Sequence, residues 1–281
     1  MKLQLYQPHE LRFAFCYRVY LRWRTHRGTH HPFLAKLERR VLDDLVRVYD
    51  IRVLQCASSE TDLLCIVSLL PTESISSCAS KLKGRVSKWL REKLHLDQPV
   101  DLLSKGYFGC TIGKSRSRTV ERYLSTQAEH HGYDQRKLPP VFVEQYHLSA
   151  EDKSRVSAKH AVVVAQFHLV LSTLKRRGIL GSKEGRKIAT EWRRLQHQLR
   201  IAFIKVSFVP DHVHVAFRVH PAVSPLNITV ALMNSAEEVM QQEMIQAGLE
   251  RLWQPGGYLG SYGDFASPQI RKYIENWSRD R

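Results

Sequence analysis

The sequence predicts an α+β protein made of two tandem β-α-β-β-α-β domains, each with an added C-terminal helix. Three observations lead there. The chain repeats itself at a spacing of 150 residues: Gly28 falls on Gly178, Pro71 on Pro221, Gly106 on Gly256, Gly113 on Gly263 and Tyr123 on Tyr273. Local segments agree without a gap, Tyr17–Gly28 with Phe167–Gly178 and Glu121–Gln127 with Arg271–Trp277. Both halves also run through the same alternation of apolar, β-branched runs and stretches of helical period. At 281 residues each half has room for its own core.

In the first copy, Arg12–Trp23 is an apolar and aromatic strand. Pro32–Tyr49 is a helix, with Leu34, Leu37, Val41, Leu42 and Leu45 at helical spacing. Ile51–Ala57 and Leu63–Leu70 are buried strands joined by the polar turn Ser58–Thr61. Ser74–Leu94 is a long helix, Tyr107–Ile112 a short strand and Arg116–Glu129 the last helix. The second copy repeats this order: strand Ala161–Thr173, helix Lys183–Leu199, strands Ile201–Val209 and Val213–Val219, helix Pro225–Gly248, strand Tyr258–Tyr262 and helix Pro268–Asp280. Pro225 and Pro268 suit the first turns of their helices. This order is the split βαβ, ferredoxin-like arrangement. The boundaries are drawn at 1–135 for copy one and 161–281 for copy two. Residues 136–160 form a linker, with a short helix near Ala150–Val156.

The composition, 43% hydrophobic and 25% charged, is that of a globular protein. No apolar run approaches a membrane span, and the first residues carry no signal-peptide pattern, so a cytoplasmic protein is expected. The five cysteines all lie in copy one, odd in number and widely spaced, as expected of reduced thiols rather than a disulfide frame or a zinc site. Net charge is +16, with 24 basic against 15 acidic residues up to residue 150 and 19 against 12 beyond it. Excess positive charge on both halves points to a polyanion, most simply nucleic acid.

Three motifs carry chemistry. In Val209–Phe217 alternate strand residues share a face, so His212 and His214 point the same way. Two neutral imidazoles on a rigid strand can ligate a divalent metal. In a chain with 14 histidines, two unrelated histidines near a strand edge are the plain alternative, but the preceding polar turn and the flanking Val/Phe run favour a placed pair. In Tyr123–Gln127 the tyrosine and glutamine are four apart and share a helix face, offering a nucleophile and an amide oxygen. Amphipathic packing would place a tyrosine there too. Lys81, Lys83, Arg85 and Lys88 lie on one helix, whereas the matching segment Ala231–Glu243 has no basic residue and three acidic ones. That asymmetry fits phosphate contacts by the first copy alone. Arg22 and Arg24, and Lys175, Arg176 and Arg177, follow the first strand of each copy and offer further backbone contacts.

Together these residues resemble the single-tyrosine HUH transposases of bacterial insertion sequences and the related REP-associated tyrosine transposases. The resemblance rests on Asp211–His214, Lys83–Ser87, Gly106–Gly113 and Tyr123–Gln127, and covers roughly 11–129 and 161–279. It implies a dimer of such domains with composite sites, the His pair from one subunit and the tyrosine and glutamine from the other. It further implies Mg²⁺ or Mn²⁺, single-stranded or hairpin DNA as partner, and a 5′-phosphotyrosine intermediate. Carried onto this chain, it makes Tyr123 the nucleophile and His212, His214 and Gln127 the metal ligands. The opposite site would need Asp62 and Leu64 with Tyr273 and Trp277, and it lacks the chemistry. The expected molecule is thus an intrachain pseudo-dimer with one live site. Tyr273 serving the His pair within copy two is the competing assignment. A non-catalytic DNA-binding protein is the alternative function, and RNA binding is disfavoured by the absence of an RNP-type aromatic pair.

Overall fold

The computed structural model describes residues 5–98, 100–113, 117–125 and 142–264. Eleven strands are seen among them: β1 Arg12–Cys16, β2 Arg18–Arg24, β3 Arg52–Ser58, β4 Asp62–Ser68, β5 Tyr107–Ile112, β6 Phe142–Gln145, β7 Ala161–Val164, β8 Gln166–Ser172, β9 Ile201–Val209, β10 His212–Val219 and β11 Gly256–Tyr262. The helices are α1 Arg39–Val46, α2 Ile75–Lys93, α3 Ser117–Ser125, α4 Ala150–Arg155, α5 Ser182–Leu199, α6 Pro225–Val239 and α7 Gln241–Gln246. Copy one forms the antiparallel order β3-β4-β2-β5 and copy two the order β9-β10-β8-β11, the ferredoxin-like arrangement in each case.

Each sheet is extended by a strand from the other copy. β1 runs parallel to β11, and β7 runs parallel to β5. The single first strand predicted for each copy is therefore split, at Tyr17 and at Ala165, because its two halves serve different sheets. Apolar residues suit both sheets equally, so the break leaves no trace in hydropathy. Hydroxyls of the opposite copy hold each break. Ser261 Oγ accepts the Arg18 N–H at 2.9 Å and donates to the Ile112 carbonyl at 2.7 Å. Thr111 Oγ1 accepts the Gln166 N–H at 2.8 Å and donates to the Tyr262 carbonyl at 2.7 Å.

This pseudo-twofold explains the recurrent punctuation. A Cβ on Gly113 would strike the Ser261 carbonyl, and one on Gly263 would strike the Thr111 carbonyl, so only glycine fits where the copies meet. The Pro71 carbonyl accepts the Leu226 N–H at 3.0 Å, and the Pro221 carbonyl accepts the Ser76 N–H at 2.9 Å. Each proline thus satisfies a first-turn amide of the other copy's long helix. Ser74 and Ser224 cap the same two helices, accepting from Ser77 and Asn227.

The ungapped overlay fails in one place. Arg18 pairs with Ser68 as Gln166 pairs with Arg218, so the first strands match at a spacing of 148, not 150. Arg27 and Gly28, both at positive φ, then correspond to Lys175 and Arg176, also at positive φ, and Gly178 is not the partner of Gly28. The two residues are made up before β9. The helix predicted over Pro32–Tyr49 is only α1 between 3-10 turns, whereas α5 in copy two is a regular 18-residue helix. The helix predicted over Pro225–Gly248 breaks at Met240 into α6 and α7. α4 falls where a short linker helix is expected, and β6 adds an unforeseen strand beside β9. The helix predicted at Pro268–Asp280 lies outside the described residues.

One hydrophobic core runs through both copies, and Tyr17 meets Phe167 across the junction at 5.0 Å. The cysteines are free thiols, and burial pushes Cys56 and Cys110 up to about 12. Among the described residues no helix is long and apolar enough to cross a membrane.

Candidate active site

The site grows from β10. His212, His214 and Ala216 share one face, while Val213, Val215 and Phe217 point into the core. Asp211, in the turn before the strand, lies 2.7 Å from His212 Nδ1 through Oδ1, and Arg176 Nε reaches its Oδ2 at 3.1 Å. The turn itself is fixed by Thr173, whose N–H donates to the Asp211 carbonyl at 2.9 Å.

A third imidazole belongs to the group. His168, on β8, places Nε2 3.0 Å from His214 Nδ1, and the two rings stack 5.3 Å apart. Burial lowers the His168 pKa to about 4, so it is neutral near pH 7 and can accept a proton held on His214 Nδ1. His212 and His214 are thus both engaged through Nδ1, their ring centroids 4.9 Å apart, so Nε2 is the nitrogen each could offer to a metal. Sequence reasoning missed His168 because the ungapped overlay set it against Arg18. The structural register sets it against Tyr20, facing the same side of the sheet as the His pair.

The tyrosine arrives from the other copy. On α3, Val120, Tyr123 and Leu124 follow helical spacing, and Arg118 and Arg122 face outward. Val120 and Leu124 pack against Ile204, Ala216 and Tyr262 of copy two. The Ser117 N–H donates to the Gly263 carbonyl at 3.0 Å, and Ser117 Oγ donates to Asp264 at 2.8 Å. So held, the Tyr123 ring stands edge-on to His214 at 5.5 Å and to His168 at 6.4 Å. Gln127, Tyr273 and Trp277 lie outside the described residues. Among the described residues no three His, Cys, Asp or Glu side chains converge on one metal position. The two imidazoles of β10 could offer a cation two nitrogens, and any further donor would have to be of another kind, such as an amide oxygen.

The equivalent ground in copy one is filled. Asp62 is buried and paired with Arg22 at 2.8 Å. Leu64 packs with Tyr20, Ile66, Cys110 and Ile112.

The basic residues separate into two groups. Lys81 bonds Glu73 at 2.7 Å, and both Lys81 and Arg85 lie over the Tyr49 ring, so they brace copy one's own helical layer. Arg22 and Arg176 hold Asp62 and Asp211. Arg24, Lys175 and Arg177 are exposed, as is Lys88, which approaches Glu92 at 3.9 Å, and Lys83 is half-buried.

Comparison with known proteins agrees with the repeat. The family model described as "Transposase IS200 like" matches residues 15–127 and again 161–277. None of the curated proteins matches the chain. Among solved structures, a candidate transposase from Deinococcus radiodurans R1 is 20% identical, covering 43% of this chain and 95% of its own at a TM-score of 0.36. A mutant chlorite dismutase from Candidatus Nitrospira defluvii is 13% identical, covering 92% and 95% at a TM-score of 0.22. With two matches that together span most of its length, the chain belongs to the IS200-like transposase family, enzymes of DNA transposition, and carries the family's domain twice.

Proposed function

We propose that this chain nicks and rejoins single-stranded DNA, at hairpin-containing ends, through one site assembled from both copies. The observation that carries this reading is the Tyr123 ring standing 5.5 Å from that of His214, although the two belong to different repeats. Tyr123 is the nucleophile. Its phenolic oxygen gives up its proton and bonds to the scissile phosphorus, and the bond from phosphorus to the preceding 3′ oxygen breaks. That oxygen takes a proton, leaving a free 3′-OH and a 5′-phosphotyrosine link. Rejoining is the reverse step.

His212, His214 and Gln127 would hold Mg²⁺ or Mn²⁺, which when bound supplies Lewis-acid polarisation of the phosphate. Asp211 and His168 fix the orientation and tautomer of the two imidazoles. A phenol is a weak nucleophile until its proton is removed, so local positive charge beside the oxygen favours the attack. Labelled hairpin DNA, incubated with Mg²⁺ or Mn²⁺, tests the reading by its covalent adduct. Adduct from wild type and Tyr273→Phe, but not from Tyr123→Phe, supports the cross-copy site. Loss with Tyr273→Phe alone moves the chemistry into copy two, and tight binding without adduct favours a DNA-binding protein that does not cut.

A further inference from the structure

Beside the filled ground in copy one lies an open cleft of about 830 Å³. Arg22 and Arg24 of β2, Phe108 of β5, and Lys159, His160 and Val162 around the start of β7 line it. Both copies build it, since β7 runs along β5 with Phe108 opposite Val162. Gly106 admits the incoming loop, for a Cβ there would lie 2.9 Å from the His160 carbonyl oxygen.

The sheet register locates the cleft relative to the chemistry. Leu64, Arg22 and Phe108 form a row across copy one. The corresponding row in copy two is His214, Val170 and Tyr258. The cleft therefore stands to the lost histidine position as Val170 and Tyr258 stand to His214. Its charge differs sharply from that counterpart. Arg22 and Arg24 of copy one, with Lys159 just before β7, correspond to Val170 and Ser172 of copy two, with Leu11 just before β1. Among the described residues no acidic side chain lines the cleft, and Asp62 reaches Arg22 from beyond its wall. Cations are thus more numerous along copy one's sheet row than along its counterpart. The Phe108 ring among them is 40% exposed and braced edge-on by Tyr20 at 6.1 Å. Guanidinium and ammonium groups beside an open aromatic face are the chemistry of single-strand binding: phosphates on the cations, a base on the ring.

We propose that this cleft binds single-stranded DNA and holds it without cutting, so that the copy without the His pair serves as the strand-holding half of the molecule. The inference rests on the proposed nicking function for its choice of single-stranded DNA, but its test does not depend on cleavage. Anisotropy of fluorescein-labelled oligo(dT) is measured on the full chain in EDTA, with the hairpin adduct assay run in parallel. Phe108→Ala, and separately Arg24→Ala with Lys159→Ala, should each weaken oligo(dT) binding by roughly tenfold or more. The double variant should also flatten the slope of log affinity against log salt by about 1.4, the value for two phosphate contacts. Phe108→Trp should retain wild-type affinity, which separates loss of stacking from loss of fold. Unchanged affinity in both alanine variants, or equal competition by duplex DNA or oligo(rU), overturns the proposal. Loss of binding in these variants, with no adduct from any form of the chain, upholds the cleft and sinks the nicking reading alone.

Discussion

Leu124→Ala isolates the docking of α3 from the stability of the body. Leu124 has no exposed surface and packs on Ile204, Ala216 and Tyr262, all from the other copy. Removing its outer carbons forfeits about 2 kcal/mol of burial, with a small cavity contribution because a nine-residue surface helix can settle. At 1.4 kcal/mol per factor of ten, the docking constant falls about 30-fold. The adduct rate on hairpin DNA should drop at least tenfold, since Tyr123 rides on the same helix. The melting temperature should move by less than about 2 °C, because α3 sits on a sheet that is complete without it. Leu82→Ala is the control. Leu82 is equally buried but lies in the shared core, and its loss should lower the melting temperature by roughly 5–10 °C. The reasoning fails if Leu124→Ala destabilises the protein as much as Leu82→Ala, or if its adduct rate matches wild type.

Thr111→Val leaves the buried Gln166 N–H without its acceptor and should cost about 1–3 kcal/mol, read as a lower melting temperature. Combined with Ser261→Ala, the losses should sum to less than additivity, because both hydroxyls close the same junction; strict additivity would argue against that coupling. Asp211→Asn keeps the shape but replaces the carboxylate that holds His212 Nδ1, so adduct formation should slow by about 10- to 100-fold with DNA affinity in EDTA unchanged. Glu237 is buried on α6, and desolvation raises its carboxyl to about 7. The folded form holds its proton more tightly than the unfolded chain, so this contribution is complete below about pH 4.5 and is lost as pH rises through 7. Glu237→Gln should therefore stabilise the protein by about 1–3 kcal/mol at pH 8 and by almost nothing at pH 4, as measured by denaturant melts.

Much of the fold was legible because helical and strand periods differ and because the chain states its pattern twice. β5 and β9 fall on their predicted residues, and Pro71, Pro221, Gly113 and Gly263 mark contacts between the copies. What stayed hidden depends on partners. The breaks at Tyr17 and Ala165 are set by which sheet receives each half-strand, and local hydropathy is the same on both sides. His168 was masked by the two-residue slip, and the slip arises in a helix whose length differs between the copies. The charge run on α2 was legible as charge, but only Tyr49 and Glu73 reveal that Lys81 and Arg85 turn toward their own layer. The Tyr123–His214 meeting was inferable from complementary loss in the two copies, although no local pattern joins residues so far apart.

The crossing of β1 and β7 makes a stretch of sequence and a piece of space different objects in this molecule. A fragment spanning 161–281 would carry β7 with no β5 to lie on. It would also leave β11 and β9 as bare edges where β1 and β6 now run. Bare edges recruit strands from other chains. A half-chain is accordingly an adhesive, and the intact chain supplies its own sealant. The covalent join between the copies then guards solubility, a benefit separate from anything it does for catalysis.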